Sequence, residues 1–373
     1  SLDKSAISIS EKESATLTAV ITPANAEGVT VEWSADDASI VTITPDEEGT
    51  SCRIAAAGVG TTTVTALAYG GLFSASCEVT ITKWEAPDAE PKIGDYFYSD
   101  GTWSDGGLIS IEADGTNPVW AENKPAPISG KTVIGIVFQT NPDRIAQTEK
   151  EKGFTHGYVV ATKKAHSTDN NLTSYCLSGD FECLSAKKAA SSWYKNIDGY
   201  TETQTVLSVY TGEDLKNCPL FDWVNEFGNV APAPANTSGW FVPATGQVWD
   251  MVANFGGGEA AEYLASQQTV TYDATYYVEK KDISYSLIDA FNEKMSLVPA
   301  DQKEEFEITD AVKGSSYREL SAIWTSSYYG DDMADIFCIG KGNKVGKTSA
   351  ISIMPSCAYM TSREAYACPI LAF

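Results

Sequence analysis

Gly239-Trp240-Phe241-Val242-Pro243-Ala244-Thr245-Gly246-Gln247-Val248-Trp249-Asp250 decides how the larger part of the chain is read. Two aromatics run into a proline, which fixes φ and lacks an N–H, so a strand entering through Val242 must stop near Pro243. Thr245 is placed to cap a helix. Val248, Trp249, Val252 and Phe255 then recur at helical spacing. The tract predicts an aromatic strand end that turns directly into a core-facing helix. Trp240 and Trp249 pack inside, and Asn254-Phe255-Gly256-Gly257-Gly258 stops the helix.

Outward from this corner, residues 93–373 mix strands and helices. Lys131–Phe138 is a continuous apolar run and reads as a central strand. Gly157–Ala161 reads as another. In Asp214–Phe227, Leu215, Cys218, Val224 and Phe227 fall near helical spacing, with the helix starting after Pro219. Asp282–Leu297 carries Ile283, Leu287, Phe291 and Met295 at i, i+4 intervals and predicts a helix. Ile351-Ser352-Ile353 and Tyr366–Phe373 read as late strands. The stretches 94–128 and 325–350, rich in Gly, Ser and Asp, predict long irregular loops, where binding usually sits.

Residues 1–83 have a different texture. Leu17, Ala19 and Ile21, then Val29, Val31 and Trp33, then Val64, Ala66 and Ala68, then Cys77, Val79 and Ile81 alternate with polar residues. Turn residues such as Pro23-Ala24-Asn25, Asp46-Glu47-Glu48-Gly49 and Gly70-Gly71 punctuate them. Six or seven such strands predict a β-sandwich. Period-two phasing points Cys52 and Cys77 inward, as buried thiols rather than a bridge. Trp84–Lys92, with two prolines and three acidic residues, reads as a semi-rigid linker. The chain thus divides into 1–83, a linker at 84–92, and 93–373.

Bulk properties narrow the function. Acidic side chains outnumber basic ones 50 to 26, a net charge of −24 over 373 residues. Residues 1–83 hold 11 acidic and 4 basic side chains, so both parts are acidic. No basic face offers itself to a phosphate backbone, and nucleic acid is not an expected partner. The charge itself serves solubility and repulsion. No run approaches the roughly 18 apolar residues of a membrane-spanning helix. No signal segment stands at Ser1, although the chain could begin after one. Eight cysteines with no C-x-x-C pair and two histidines leave few materials for a zinc site or a histidine-based triad.

The N-terminal part resembles the group 2 bacterial immunoglobulin-like domains. The matching residues are Leu2-Asp3-Lys4-Ser5, Thr16-Leu17-Thr18-Ala19, Val31-Glu32-Trp33-Ser34, Ile40-Val41-Thr42-Ile43 and the tract Ala57–Ala66. Such domains are spacers or modules of exported surface proteins and adhesins, so the resemblance implies export. In the larger part, Ile93–Ser104, Thr155–Ala161, Gly239–Asp250, Ile323–Ser327 and Tyr366–Phe373 look, in that order, like the elements of formylglycine-generating-enzyme-like and related C-type-lectin-like domains. That resemblance implies an α+β C-type-lectin-like domain that brings its first and last strands together and displays long loops. Together the two parts are similar to surface lipoproteins and fimbrium-associated cell-adhesion proteins of gut Bacteroidetes.

The resemblance to the formylglycine-generating branch raises Cys357 and Cys368 as a reactive pair, but its R-x-x-R-G-G-S-W element is absent. No G-x-S-x-G elbow anchors a serine hydrolase, so the expectation is no enzyme and no cofactor. For calcium, Asn141-Pro142-Asp143 partly matches the lectin E-P-N or Q-P-D element. No W-N-D element accompanies it, and Asp331, Asp332 and Asp335 read as a solvated cluster, so no metal is expected. His156 reads as structural and His166 as exposed. Cys176 and Cys183 are close enough in sequence to bridge in an exported protein, with the pairing left open. A direct sugar site needs aromatic platforms beside polar groups; Trp193, Tyr194, Tyr328 and Tyr329 are the candidates. The expectation is a noncatalytic protein of the cell surface or secreted space, as an outer-membrane lipoprotein after export. It would act in cell adhesion or fimbrium-associated binding, with a host or bacterial surface protein, a glycan or fimbrial subunits as partners. A glycan-binding lipoprotein serving polysaccharide uptake is the alternative, and an enzyme on the same scaffold a second one.

Overall fold

A computed structural model describes the whole chain except residues 12, 24–28, 47, 84–89, 113–117, 168–170, 179–180, 182, 187–191, 272–277, 279–280, 308–319 and 341–352. It divides into two compact units. One comprises Ser1–Asp88, Ser99–Thr102 and Pro232–Asn236; the other comprises Ala89–Tyr98, Trp103–Ala231 and Thr237–Phe373. Most of the expected linker, the Ala24-Asn25 part of one predicted turn and the Ile351-Ser352 start of a predicted strand lie outside the described residues.

The first unit is built from β1 (Ala6–Ser10), β2 (Ser14–Thr18), β3 (Val31–Ala35), β4 (Val41–Pro45), β5 (Ser51–Ala56), β6 (Gly60–Ala68) and β7 (Phe73–Thr82). They form two sheets, β1-β7-β6-β3 and β2-β5-β4. β1 pairs with β7 in parallel. Alternation accounts for the core: Leu17, Val41, Ile54, Val64, Cys77, Val79 and Ile81 form one buried cluster. Cys52 and Cys77 are wholly buried and unbridged, as their phase predicts. Thr61 and Thr65 take the outer face, where their hydroxyls meet Thr80 at 3.1 Å and Ser76 at 3.0 Å across the β6–β7 ladder. Pro45 ends β4, an edge strand where its missing N–H costs no ladder bond.

The second unit contains β8 (Tyr96–Tyr98), β9 (Trp103–Ser104), β10 (Leu108–Ser110), β11 (Val119–Trp120), β12 (Val133–Gln139), α1 (Gln147–Glu151), β13 (Tyr158–Ala161), α2 (Gly199–Val209), α3 (Pro219–Glu226), α4 (Thr245–Gly256), α5 (Gly258–Ser266), α6 (Leu287–Lys294), β14 (Leu320–Gly330), β15 (Met333–Gly340), β16 (Ile353–Tyr359) and β17 (Ile370–Ala372). A five-stranded antiparallel sheet runs β17-β13-β12-β8-β9, and a three-stranded one runs β14-β15-β16. The apolar run at 131–138 is the central strand β12, with all seven residues buried. The first and last strands share this sheet, with β12 and β13 between them, and the rings of Phe97 and Phe373 meet at 4.9 Å.

Four expectations need correction. The stretch 325–340 is not a loop but most of the β14–β15 hairpin. Asp331 and Asp332, at φ 53° and 60°, form its turn, where positive φ at both central residues suits the strand twist. Asp335 is fully buried on β15, so the three aspartates are no solvated cluster. The helix expected at 282–297 begins only at Leu287. Ser284 is held by Glu259 through its N–H and hydroxyl, at 2.9 and 2.7 Å, and Ser286 accepts the Asp289 N–H as the cap. Finally, α3 starts at Pro219 rather than after it, since proline fits a first helical turn that needs no N–H partner.

Candidate functional site

The opening tract folds as its residues dictate. Phe241 makes a single bridge to Ile370, Pro243 ends the extended run, and α4 follows. Val248, Trp249, Val252 and Phe255 are buried in the principal core, and Trp240 is buried against Phe227. The cap differs from expectation. Ala244, not Thr245, precedes the helix, and its N–H is accepted by the Gln247 side chain at 2.8 Å. The next N–H groups go to distant chain: Thr245 to the Ser327 hydroxyl at 3.1 Å, and Gly246 to the Asn196 carbonyl at 2.7 Å. The Thr245 hydroxyl donates to Asp335 at 2.6 Å. A carboxylate at a helix N-terminus is favoured by the helix dipole. Thr245, Gln247, Thr325, Ser326, Ser327 and Asp335 are all fully buried, and Ser326 donates to the buried Glu202. These hydrogen bonds offset much of the cost of burying the layer, although Gln247 Nε2 has no hydrogen-bond partner among the described residues.

One wall of a cleft of about 460 Å³ is the α4 face carrying Trp249, Asp250, Ala253 and Asn254. The end of β12 contributes Gln139, and the turn after it contributes Asn141–Arg144. Tyr194 and α5 close the lining. The turn is made by side chains: Gln139 Oε1 accepts the N–H groups of Thr140 and Asn141 at 3.0 and 2.9 Å, and Asn141 Oδ1 accepts that of Asp143 at 2.9 Å. The turn delivers Arg144, 8% exposed, to Asp250, 5% exposed. Arg144 Nε lies 2.9 Å from one Asp250 oxygen and 3.1 Å from the other. Its Nη2 donates to the carbonyls of Tyr194 and Gly246 at 2.9 and 3.1 Å. The guanidinium stacks 3.7 Å from the centre of the Tyr194 ring. Burial pushes the Asp250 carboxyl upward, and Arg144 pulls against it. Gly246 is required here: a Cβ would come within 2.3 Å of the Tyr194 carbonyl oxygen. Asn254 donates to the Phe138 carbonyl at 2.7 Å, tying α4 to β12.

Of the four aromatic platforms expected, Tyr194 is half-buried and lines this cleft. The other three lie elsewhere. Trp193 is fully buried and packs 6.5 Å from Tyr329, itself 5% exposed. Tyr328 is half-buried, edge-on to Phe181. Their polar sequence neighbours made them look exposed, but Ser192, Ser326 and Ser327 are buried too. Arg144 and Asp250 were not singled out. The available signal was a carboxylate within the most apolar helix of the chain, which needs a cation opposite it.

Asn141 is engaged in its turn, and among the described residues no group of three or more His, Cys, Asp or Glu is placed to hold a metal ion. Burial pushes the Cys357 and Cys368 thiols up to about 12, which leaves little thiolate at neutral pH. His156 stacks on Phe373, with centroids 5.8 Å apart. Exposed His166 pairs with Glu304 at 3.1 Å. The sulfur nearest Cys176 is that of Cys218, not Cys183. Among the described residues, no helix is long and apolar enough to cross a membrane.

Residues 1–79 match the bacterial Ig-like domain (group 2) family. No curated protein matches the chain. Among solved structures, it is similar to a fimbrial protein from Bacteroides ovatus ATCC 8483, at 13% identity and a TM-score of 0.42 over 93% of this chain and 64% of that one. The chain therefore spans about 64% of the length of that protein. It is also similar to domains 4 and 5 of the S-layer protein SbsC, at 18% identity and a TM-score of 0.20, over 22% of this chain and 50% of that one. A third likeness is to Yersinia pseudotuberculosis InvD, at 19% identity and a TM-score of 0.17, over 36% of this chain and 38% of that one.

Proposed function

We propose that this chain is a noncatalytic bacterial surface protein acting in cell adhesion or as a fimbrium-associated component. An immunoglobulin-like module at 1–83 would join an α+β module of C-type-lectin-like character at 93–373, displayed as an outer-membrane lipoprotein. The match of residues 1–79 to the bacterial Ig-like family carries this reading, since such modules belong to exported surface proteins. The net charge of −24 agrees with a protein held apart from others by repulsion. Protease shaving of intact source cells, followed by an attachment assay on a deletion strain, tests it. The chain should be lost on shaving and attachment reduced. A chain protected in intact cells, with attachment unchanged, sinks the reading.

The cleft favours a second reading, glycan binding. A half-buried tyrosine beside fixed polar groups, Arg144, Asp250 and Asn254, is the arrangement that orients a small polyhydroxylated ligand. A glycan array on the wild type and on Tyr194→Ala distinguishes the two. Binding that falls at least about tenfold in the variant, or about 1.4 kcal/mol, supports the cleft. A blank array with attachment intact returns the role to protein contact.

A further inference from the structure

We infer that Cys176 and Cys218 are joined by a disulfide when the protein matures in an oxidising compartment. Their sulfurs are in direct contact at 2.7 Å, 42 residues apart in sequence. Each is 2% exposed, and the chain beside each is anchored. The N–H of Leu177 donates to the carbonyl of Asn217 at 2.8 Å, which holds the two backbones side by side. Tyr175 is locked by edge-on contacts to Phe181, Phe221 and Trp324. Cys218 immediately precedes α3, and its carbonyl accepts the N–H groups of Phe221 and Asp222. A cross-link between them would pin the segment carrying Tyr175 to the start of α3.

The chemistry is thiol–disulfide exchange with a small-molecule or protein disulfide as oxidant. One cysteine thiolate attacks a sulfur of that disulfide, breaking its S–S bond and expelling one thiolate. The second cysteine thiolate then attacks the mixed disulfide, forming the Cys176–Cys218 bond and expelling the other. Two protons leave the protein, and two electrons reduce the oxidant to two thiols. The timing follows from burial. In the folded chain the contact with Cys218 and burial both raise the Cys176 thiol, and burial pushes half-buried Cys183 up to about 12. With both sulfurs only 2% exposed, an external disulfide reaches them before the core closes and not after, so the bond forms while the chain folds.

The need for an oxidising compartment rests on the surface reading above, and refolding in vitro separates the two. The full chain is refolded with glutathione disulfide, then digested by proteases that cut after lysine and glutamate. Cleavage after Lys164, Glu182 and Lys216 places Cys176, Cys183 and Cys218 on three different peptides. The expected product is the Cys176 peptide linked to the Cys218 peptide. Linkage through Cys183 instead, or free thiols throughout, overturns the proposal. In thermal melts, reduction should lower the midpoint by on the order of 5 °C in the wild type and in Cys183→Ala, and by nothing in Cys176→Ala. An equal response in all three also overturns it. A bond that forms in vitro but is absent from protein recovered from source cells supports the geometry and counts against the surface location.

Discussion

The immunoglobulin-like unit and the larger unit close their interiors by different means. In the first, a β-sandwich is filled by apolar side chains from alternate strand positions, with threonine ladders outside. In the second, the apolar core is joined by a buried polar layer in which Thr245, Asn196, Ser326, Ser327, Asp335 and Glu202 hydrogen-bond one another. Apolar packing tolerates small changes in proportion to the area lost. A polar layer is less forgiving, because removing one member exposes the cost of desolvating another. The same conservative exchange should therefore be cheap in one unit and expensive in the other.

The largest effect is expected at the cleft. Asp250→Ala leaves Arg144 buried without its carboxylate and should cost the larger unit about 4 kcal/mol. The sandwich transition should stay in place in urea melts that follow the two units separately. Leu17→Ala reverses the pattern, removing about 3 kcal/mol from the sandwich alone. If either substitution moves both transitions equally, the two units do not close independently.

Asp95 supplies a pH test of the larger unit. It accepts the N–H groups of Lys92 and Gly106 at 2.8 and 3.0 Å, yet burial pushes its carboxyl up to about 6. A raised folded value favours the protonated form. Its contribution is therefore complete below the ordinary carboxylate range, near pH 4, and lost as pH rises through about 6. That interval corresponds to roughly 3 kcal/mol. The stability advantage of the wild type over Asp95→Asn should shrink between pH 4 and pH 7. A gap that holds constant or widens contradicts the assignment.

The smallest effects draw the sharpest contrast. Thr245→Val withdraws a hydroxyl from the buried Asp335 carboxylate and should cost about 2 kcal/mol. Thr61→Val removes an exposed cross-strand contact to Thr80 and should cost less than about 0.5 kcal/mol. Equal costs in denaturant melts would erase the distinction between the units.

The same distinction explains what could be read from residues alone. In the sandwich, period-two alternation carries the fold directly, down to the inward phase of Cys52 and Cys77. In the larger unit, β12 was legible because a strand buried on both faces is an unbroken apolar run. The helix α4 was legible from Val248, Trp249, Val252 and Phe255. The strand β14 was marked at Ile323–Ser327 by the family resemblance but not by composition, because Thr325-Ser326-Ser327 looks like a loop and becomes core only through partners far away in the chain. The site behaves likewise. Tyr194 was singled out as an aromatic beside polar residues. Arg144 and Asp250, 106 positions apart, acquire a meaning only when the fold brings them together. Short-range pattern reports apolar burial well and polar burial poorly, since a buried hydroxyl and a solvated one look alike in sequence.

The borrowed cap of α4 also orders events in time. Thr245 takes its N–H acceptor from Ser327 and its hydroxyl acceptor from Asp335, partners 82 and 90 residues downstream. In a chain emerging from its N-terminus, this helix is made long before the β14–β15 hairpin that completes its first turn. The seven strands of the sandwich all lie within residues 6–82. Non-local closure of this kind slows folding, so the sandwich should be settled while the larger unit is still assembling. The part slowest to harden is then the part that carries the cleft.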